Sequence, residues 1–246
     1  MIILYALCVL LAVVLLYLLF LLVLALLVNP HREYETNNRI YRNVLNFSTA
    51  VALKLVRIHV HTAGIEKIPS DTKLLFVSNH RSNFDPIITW YVFRRWEPAF
   101  ISKESNFSIP IFGRLIRKCC FMAIDRENPR NAARTIRKAA ALIRSDEVSI
   151  GVYPEGTRSK SGKLLPFHNG VFKIAQQAEV PIVVLSITGT ERIHKNYPFR
   201  RSDVHLNVLE VLKAEEIKGK RANEIGNHVR ELIGRQFHEK AEGEKK

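Results

Sequence analysis

Residues 74 to 86, LLFVSNHRSNFDP, begin as a short apolar run and then turn polar, placing His80 and Asp85 five positions apart. The run Leu74-Leu75-Phe76-Val77 is continuous and apolar, which predicts a buried strand over Leu74–Ser78. On one unbroken helix, residues i and i+5 point about 140° apart, since each residue turns by roughly 100°. His80 and Asp85 therefore meet only if the stretch between them is a loop. Asp85-Pro86 reads as a helix N-cap followed by proline at the first helical position. On that reading His80 leaves the strand end while Asp85 opens the next helix.

The same punctuation recurs along the chain. Strands are expected at Leu74–Ser78, Ala99–Ser102, Phe121–Ile124, Val148–Tyr153, Ile182–Thr188 and Val204–Val211. Helices are expected at Pro86–Trp96, Pro129–Arg144, Asn169–Ala178 and Ala222–His238. Strands interleaved with helices predict an α/β fold, a largely parallel sheet flanked by helices. Ligands in such sheets gather at the carboxyl ends of strands. NHRSNFDP (79–86) sits at one such end and YPEGTRS (153–159) at another.

Ahead of this region, Met1 to Val28 carries no charge. As a helix it would run about 42 Å, longer than the roughly 30 Å hydrocarbon core of a bilayer. It lacks the basic start and small-residue cleavage site of a secretory signal, so it is expected to be an uncleaved membrane segment. Asn29-Pro30 breaks it, and a second, amphipathic helical pattern runs from about Ile40 to Val60. Whether the first helix spans the bilayer or pairs with the second as an anchor in one leaflet is left open, with the two-helix anchor preferred. The expected organisation is a membrane anchor over 1–60, an α/β domain over 61–240 and a charged, disordered tail over 241–246.

All 37 Lys and Arg follow the apolar segment, and the net charge is +14. The nearest flank, His31, Arg32, Arg39 and Arg42, lies on its C-terminal side, so the positive-inside tendency places the domain in the cytoplasm, at the cell membrane. Cys8 lies in the apolar run and Cys119 and Cys120 are adjacent, which suits a reducing compartment. No His/Cys spacing suggests a metal. Arg130, Arg134, Arg137 and Lys138 form one basic helix face, ordinarily a solvated one; beside a membrane segment it also suits anionic headgroups or an acidic carrier. No motif supports nucleic-acid binding.

The site candidates each have a plain alternative. A carboxylate bonded to one imidazole nitrogen fixes the tautomer and lets the other accept a proton. His80 and Asp85 would then be two members of a Ser-His-Asp device, the nucleophile being a substrate hydroxyl; alternatively they are a loop histidine and a cap. In Glu155-Gly156-Thr157-Arg158, Gly156 permits a sharp turn or close ligand approach. Arg158 offers a fork for phosphate oxygens, and Glu155 an anchor for that arginine or a substrate hydroxyl; alternatively the stretch is a solvated turn. Arg126 and Lys103 follow strands in comparable places and can reach the same anion, or be exposed loop cations. Cys119 or Cys120 as a covalent acyl carrier competes with the commoner role of buried cysteine.

Taken together, these stretches resemble the glycerolipid acyltransferase family, specifically the 1-acylglycerol-3-phosphate acyltransferases, over roughly residues 60 to 190. His80 and Asp85 look like its HxxxxD motif. Arg126 in CFMAIDR matches a GxxFxxR-type motif, Glu155–Arg158 the EGTR motif, and Val180-Pro181-Ile182-Val183 the start of VPIVP. Cys120 stands where the second motif usually has glycine, and Val184 where the fourth ends in proline. The resemblance implies acyl transfer from acyl-CoA or acyl carrier protein to the 2-hydroxyl of lysophosphatidic acid, giving phosphatidic acid. His80 would be the base and Asp85 its partner, with no metal and no cofactor beyond the donor. It implies Lys103, Arg126 and Arg158 at the acceptor phosphate, Glu155, Gly156 and Thr157 in the substrate and oxyanion region, and the lipid bilayer as partner. Alternatives are another acceptor, such as glycerol 3-phosphate, or a noncatalytic scaffold binding anionic lipid.

Overall fold

A computed structural model describes residues 1–125 and 127–243, with side chains described as far as Gln236. The strands are β1 (Ile58–Ala63), β2 (Leu75–Ser78), β3 (Pro98–Lys103), β4 (Met122–Ile124), β5 (Ser149–Val152), β6 (Ile182–Thr188) and β7 (Ser202–Leu212). They form one sheet in the order β1-β7-β6-β2-β5-β3-β4. From β6 through β4 every pairing is parallel. β7 runs antiparallel to β6, and β1 parallel to β7, so the last two strands on one edge are reversed. The largely parallel sheet expected from the pattern is present, with this reversed edge added.

The helices are α1 (Ile2–Leu26), α2 (Arg39–Leu55), α3 (Phe84–Val92), α4 (Phe112–Arg117), α5 (Pro129–Arg144), α6 (Lys173–Ala178), α7 (Ile193–Asn196), α8 (Ala214–Ile217) and α9 (Ala222–Gly243). α5 has the expected bounds because its start is written twice: the Asn128 side chain accepts from the N–H groups of Arg130 and Asn131, and Pro129 fills the first position.

The sheet separates two cores, and the pleat explains the division. In β2, Leu75 and Val77 pack with α5, α6 and α9 residues such as Ile143, Ile174 and Val229. Leu74 and Phe76 face the other side, against Ile88, Phe93 and Trp96. β2 and β5 are buried along their whole length. β7 alternates buried and open residues through Ser202–Leu206, as a reversed strand near the sheet edge should.

A third apolar cluster joins the N-terminal helices to the domain: Val28, Tyr41 and Leu45 meet Trp90, Phe100 and Ile116. The Tyr41 hydroxyl donates to Leu24 O at 3.0 Å, and the Tyr17 and Ser48 hydroxyls lie 2.7 Å apart. α1 and α2 are therefore a packed pair seated on the domain. Along α1 only Ala25 is buried, and its remaining apolar side chains are largely exposed.

Three expectations need correction. The second helix ends at Leu55, and Ile58–Ala63 is strand β1, so a boundary after residue 60 falls inside the sheet. The alternation Ile58-His59-Val60-His61 is too short to stand out from the helical pattern before it, and its partner β7 lies far along the chain. Arg42, counted among flanking cations, is buried: its Nε donates to Asn37 at 2.7 Å, Nη1 to Pro98 O at 3.1 Å, and its guanidinium lies over the Trp90 ring. It fastens α2 to the sheet domain and is not open to headgroups. The helix α9 continues to Gly243, through the first residues of the segment expected as a tail; residues 244–246 lie outside the described residues.

Candidate active site

The carboxyl ends of β2, β5 and β3 meet around one cavity of about 1130 Å³. At the end of β2, the Asn79 side chain donates to Ile187 O at 2.8 Å and accepts from Ile187 N at 2.9 Å, extending the ladder by one step beyond Ser78. His80 is thereby placed at a fixed exit from the sheet. Its Nδ1 lies 2.8 Å from Asp85 Oδ2. The carboxylate accepts, so Nδ1 carries the proton and Nε2 keeps its lone pair for a substrate.

Asp85 is not the N-cap expected from Asp85-Pro86. α3 begins two residues earlier than expected, at Phe84, with Asn83 in the cap position. The Asp85 carboxylate turns back and accepts from the N–H groups of Arg81 at 2.6 Å and Ser82 at 2.7 Å, as well as from His80. It is fully buried, and its place in the first turn of α3 suits negative charge. One carboxylate thus closes the loop and orients the imidazole.

The loop after β5 secures the same histidine from behind. Glu155 Oε1 accepts from His80 N at 2.7 Å, Oε2 accepts from Leu165 N at 2.9 Å, and Ser159 N donates to His80 O at 2.9 Å. Burial raises the Glu155 carboxyl above its ordinary value, partly offset by the N–H groups of Leu165 and His80. Both Glu155 oxygens are occupied by backbone, so it holds the site together and does not face substrate as expected. Gly156 takes φ +69, and its N–H donates to Tyr153 O at 2.9 Å, so that N–H is not an oxyanion donor. Thr157 and Arg158 follow on the exposed side and line the cavity, as does Lys103 at the end of β3. Arg126 lies outside the described residues.

Tyr153 was not singled out from the sequence, yet its ring stacks on His80 at 4.5 Å between centroids. Burial, and then the Asp85 charge, hold its hydroxyl well above the ordinary tyrosine range, so it remains a neutral wall. Phe100 stacks on Tyr153 in turn, and a methyl group on Gly151 would overlap the Phe100 ring. The signal available was position alone: Tyr153 directly precedes a turn at a strand's carboxyl end. Leu45, Ile87, Trp90, Phe112 and Ile116 complete an apolar flank, so the cavity is oily on one side and cationic at Lys103 and Arg158. Asp125, at its rim, accepts from Asn131 at 2.9 Å and from Glu127 N at 3.1 Å; the Asn131 bond leads in holding its carboxyl below the usual range.

Cys119 and Cys120 are wholly buried, and burial pushes both thiols up to about 12. Neither is suited to act as an acyl carrier.

The family model described as Acyltransferase matches residues 58–188. The chain belongs to the acyltransferase family. It is 36% identical over 121 residues to the 1-acyl-sn-glycerol-3-phosphate acyltransferase of Cocos nucifera, covering 49% of this chain and 39% of that one. The protein of the same name from Haemophilus influenzae is 31% identical over 157 residues, covering 62% and 64%. The chain thus spans less than two thirds of these curated relatives. The crystal structure of PlsC from Thermotoga maritima, a 1-acyl-sn-glycerophosphate (LPA) acyltransferase, superposes with a TM-score of 0.67 at 27% identity, over 89% of this chain and 86% of that chain. Within this member of the family, the departure at Cys120 leaves the turn intact: Cys120 takes φ +62, the left-handed conformation that glycine favours. Val184 lies buried in the middle of β6.

Proposed function

We propose that this acyltransferase moves a fatty acyl group from an acyl thioester to the sn-2 hydroxyl of lysophosphatidic acid, forming phosphatidic acid. The observation that carries the reading is His80, paired with Asp85 at 2.8 Å, on the wall of a cavity that has an apolar flank and is lined by the cations Lys103 and Arg158 beside the acids Glu104, Asp125 and Glu127. Lys103 and Arg158 take the acceptor phosphate, and the resemblance adds Arg126. The apolar flank takes hydrocarbon, which suits a lysolipid better than glycerol 3-phosphate.

In the reaction, His80 Nε2 accepts the proton of the acceptor hydroxyl as its oxygen bonds to the thioester carbonyl carbon. Asp85 holds the imidazole and stabilises the imidazolium. The tetrahedral intermediate collapses by breaking the carbon–sulfur bond, and the imidazolium returns the proton to the departing thiolate. Fixing acceptor and base in one cavity lowers the barrier by converting an encounter between molecules into one within a complex. The hydroxyl is the nucleophile, so no enzyme ester forms. The donor, carried by CoA or an acyl carrier protein, is a substrate and not a resident cofactor. The exposed apolar α1 supports placement at a membrane, with the domain on the cytoplasmic face of the cell membrane.

The test offers lysophosphatidic acid, glycerol 3-phosphate and lysophosphatidylcholine, each with acyl-CoA and acyl carrier protein, to the protein in liposomes. Phosphatidic acid formed from lysophosphatidic acid alone, and falling by about 100- to 10,000-fold in His80→Ala, is the expected result. Turnover that survives in His80→Ala overturns the mechanism, and preference for another acceptor overturns the substrate.

A further inference from the structure

Away from the cavity, the exposed apolar surface has one conspicuous member outside the N-terminal helices: Phe199, with 86% of its surface open. It sits in the stretch Arg192-Ile193-His194-Lys195-Asn196-Tyr197-Pro198-Phe199-Arg200-Arg201, which carries no acidic residue. Lys195, Tyr197, Arg200 and Arg201 are exposed around it. Nearby acids are already engaged: Asp203 pairs with His61 at 3.0 Å and Arg201 at 3.3 Å, and Glu191 accepts from Gly189 N at 3.1 Å.

The loop is held open by specific bonds. Arg200 N donates to Asn196 O at 2.7 Å, the Asn196 amide donates to Arg201 O at 3.0 Å, and Arg57 Nη1 donates to Phe199 O at 2.9 Å. Phe199 is thus presented to the exterior by a built turn.

Its position is informative as well. β6 ends and β7 begins at the end of the sheet where β2 and β5 finish, so this loop shares the catalytic end. β1 also starts there, and Arg57, which grips the loop, lies between α2 and β1. α2 bears an exposed apolar stripe, Ile40, Phe47, Val51 and Leu55, whose Phe47 meets Tyr17 of α1 ring to edge at 5.6 Å. Exposed apolar side chains thus run along α1 and α2 to Leu55, and Arg57, two residues on, is bonded to the backbone of Phe199.

We propose that the loop 192–201 is a membrane contact additional to the N-terminal helices, in which Phe199 enters the bilayer interface and Lys195, Arg200 and Arg201, the last sharing its charge with Asp203, meet anionic lipid headgroups. An aromatic ring ringed by cations matches the chemistry of that interface. The contact orients the catalytic end toward the lipid surface and so deepens the membrane placement of α1, on which it rests; it does not depend on the reaction.

The test uses the full chain in vesicles containing brominated phosphatidylcholine, with or without phosphatidylglycerol, and reads tryptophan fluorescence. Phe199→Trp adds a reporter at an exposed position, while the native Trp90 and Trp96 are buried. Leu16→Trp in α1 reports separately on insertion of the anchor. The expected result is quenching at both positions, with quenching at 199 greater in anionic vesicles and reduced at least twofold by Arg200→Glu with Arg201→Glu. Quenching at 16 but not at 199 overturns the loop contact and leaves the anchor standing. Shielding at 199 without bromine quenching overturns it in favour of a protein contact. Equal quenching at 199 in neutral and anionic vesicles overturns the headgroup assignment, and no quenching at either position overturns both.

Discussion

Glu155 shows how one side chain can hold the proposed base through backbone alone. Its two oxygens clamp His80 N and Leu165 N. Glu155→Gln offers an amide NH2 to one of those N–H groups, leaving a buried donor unpaired at about 1–3 kcal/mol. Looser support of His80 is expected to lower kcat by about tenfold, a barrier change of about 1.4 kcal/mol. The pH dependence has a definite sign. Burial raises this carboxyl in the folded protein, so the folded state holds the proton more tightly than the unfolded chain. Its contribution is full below the unfolded value and is lost as pH rises through the folded one. Urea titrations should show the stability of the parent falling relative to Glu155→Gln as pH rises from about 4.3, and a constant difference would contradict the rise that burial imposes on this carboxyl. His80 and Asp85 were legible in the sequence because strand end, histidine and aspartate occupy one short loop. The task of Glu155 was not, since its partners His80 and Leu165 are brought together only by the pairing of β2 with β5.

At the scale of elements, the cavity wall is set by a contact between neighbouring strands. Gly151 in β5 leaves room for the Phe100 ring from β3, which supports Tyr153, which supports His80. Gly151→Ala is expected to cost about 1–3 kcal/mol by overpacking. Steady-state kinetics should show reduced kcat together with a thermal melt lowered only by that amount. Arg42 acts between α2 and the sheet: Arg42→Ala leaves the buried Pro98 carbonyl without this donor and removes the cation over Trp90. A loss of about 2–4 kcal/mol in denaturant titration is expected. Elements with local signals were readable, as α5 was from Asn128-Pro129. β1 was not, because its six residues gain their meaning from β7, and Arg42 looked like a flanking charge because the groove that receives it is built from Trp90, Pro98 and Cys119.

At the scale of the molecule, α1 and α2 are one unit with the domain and not a tethered tail. Removing residues 1–28 takes away Val28 and the Leu24 carbonyl that Tyr41 uses, while the sheet keeps its two cores. The shortened protein should melt cooperatively, move from the vesicle pellet to the supernatant, and lose at least about tenfold in turnover on vesicle-borne acceptor, given about 1.5–3 kcal/mol for each large apolar side chain withdrawn from lipid. Cosedimentation and a vesicle assay check both. The reversed edge of the sheet has a consequence for how the protein is made. His61 in β1 meets Asp203 in β7 across 142 residues of chain, and contacts of such separation form late because long loops must close first. α1 and α2 precede every strand, so they are synthesised while β1 still lacks its partner. On the proposed membrane placement, the chain would reach the bilayer before its sheet is complete, and the end of the sheet that bears His80 would finish folding beside it.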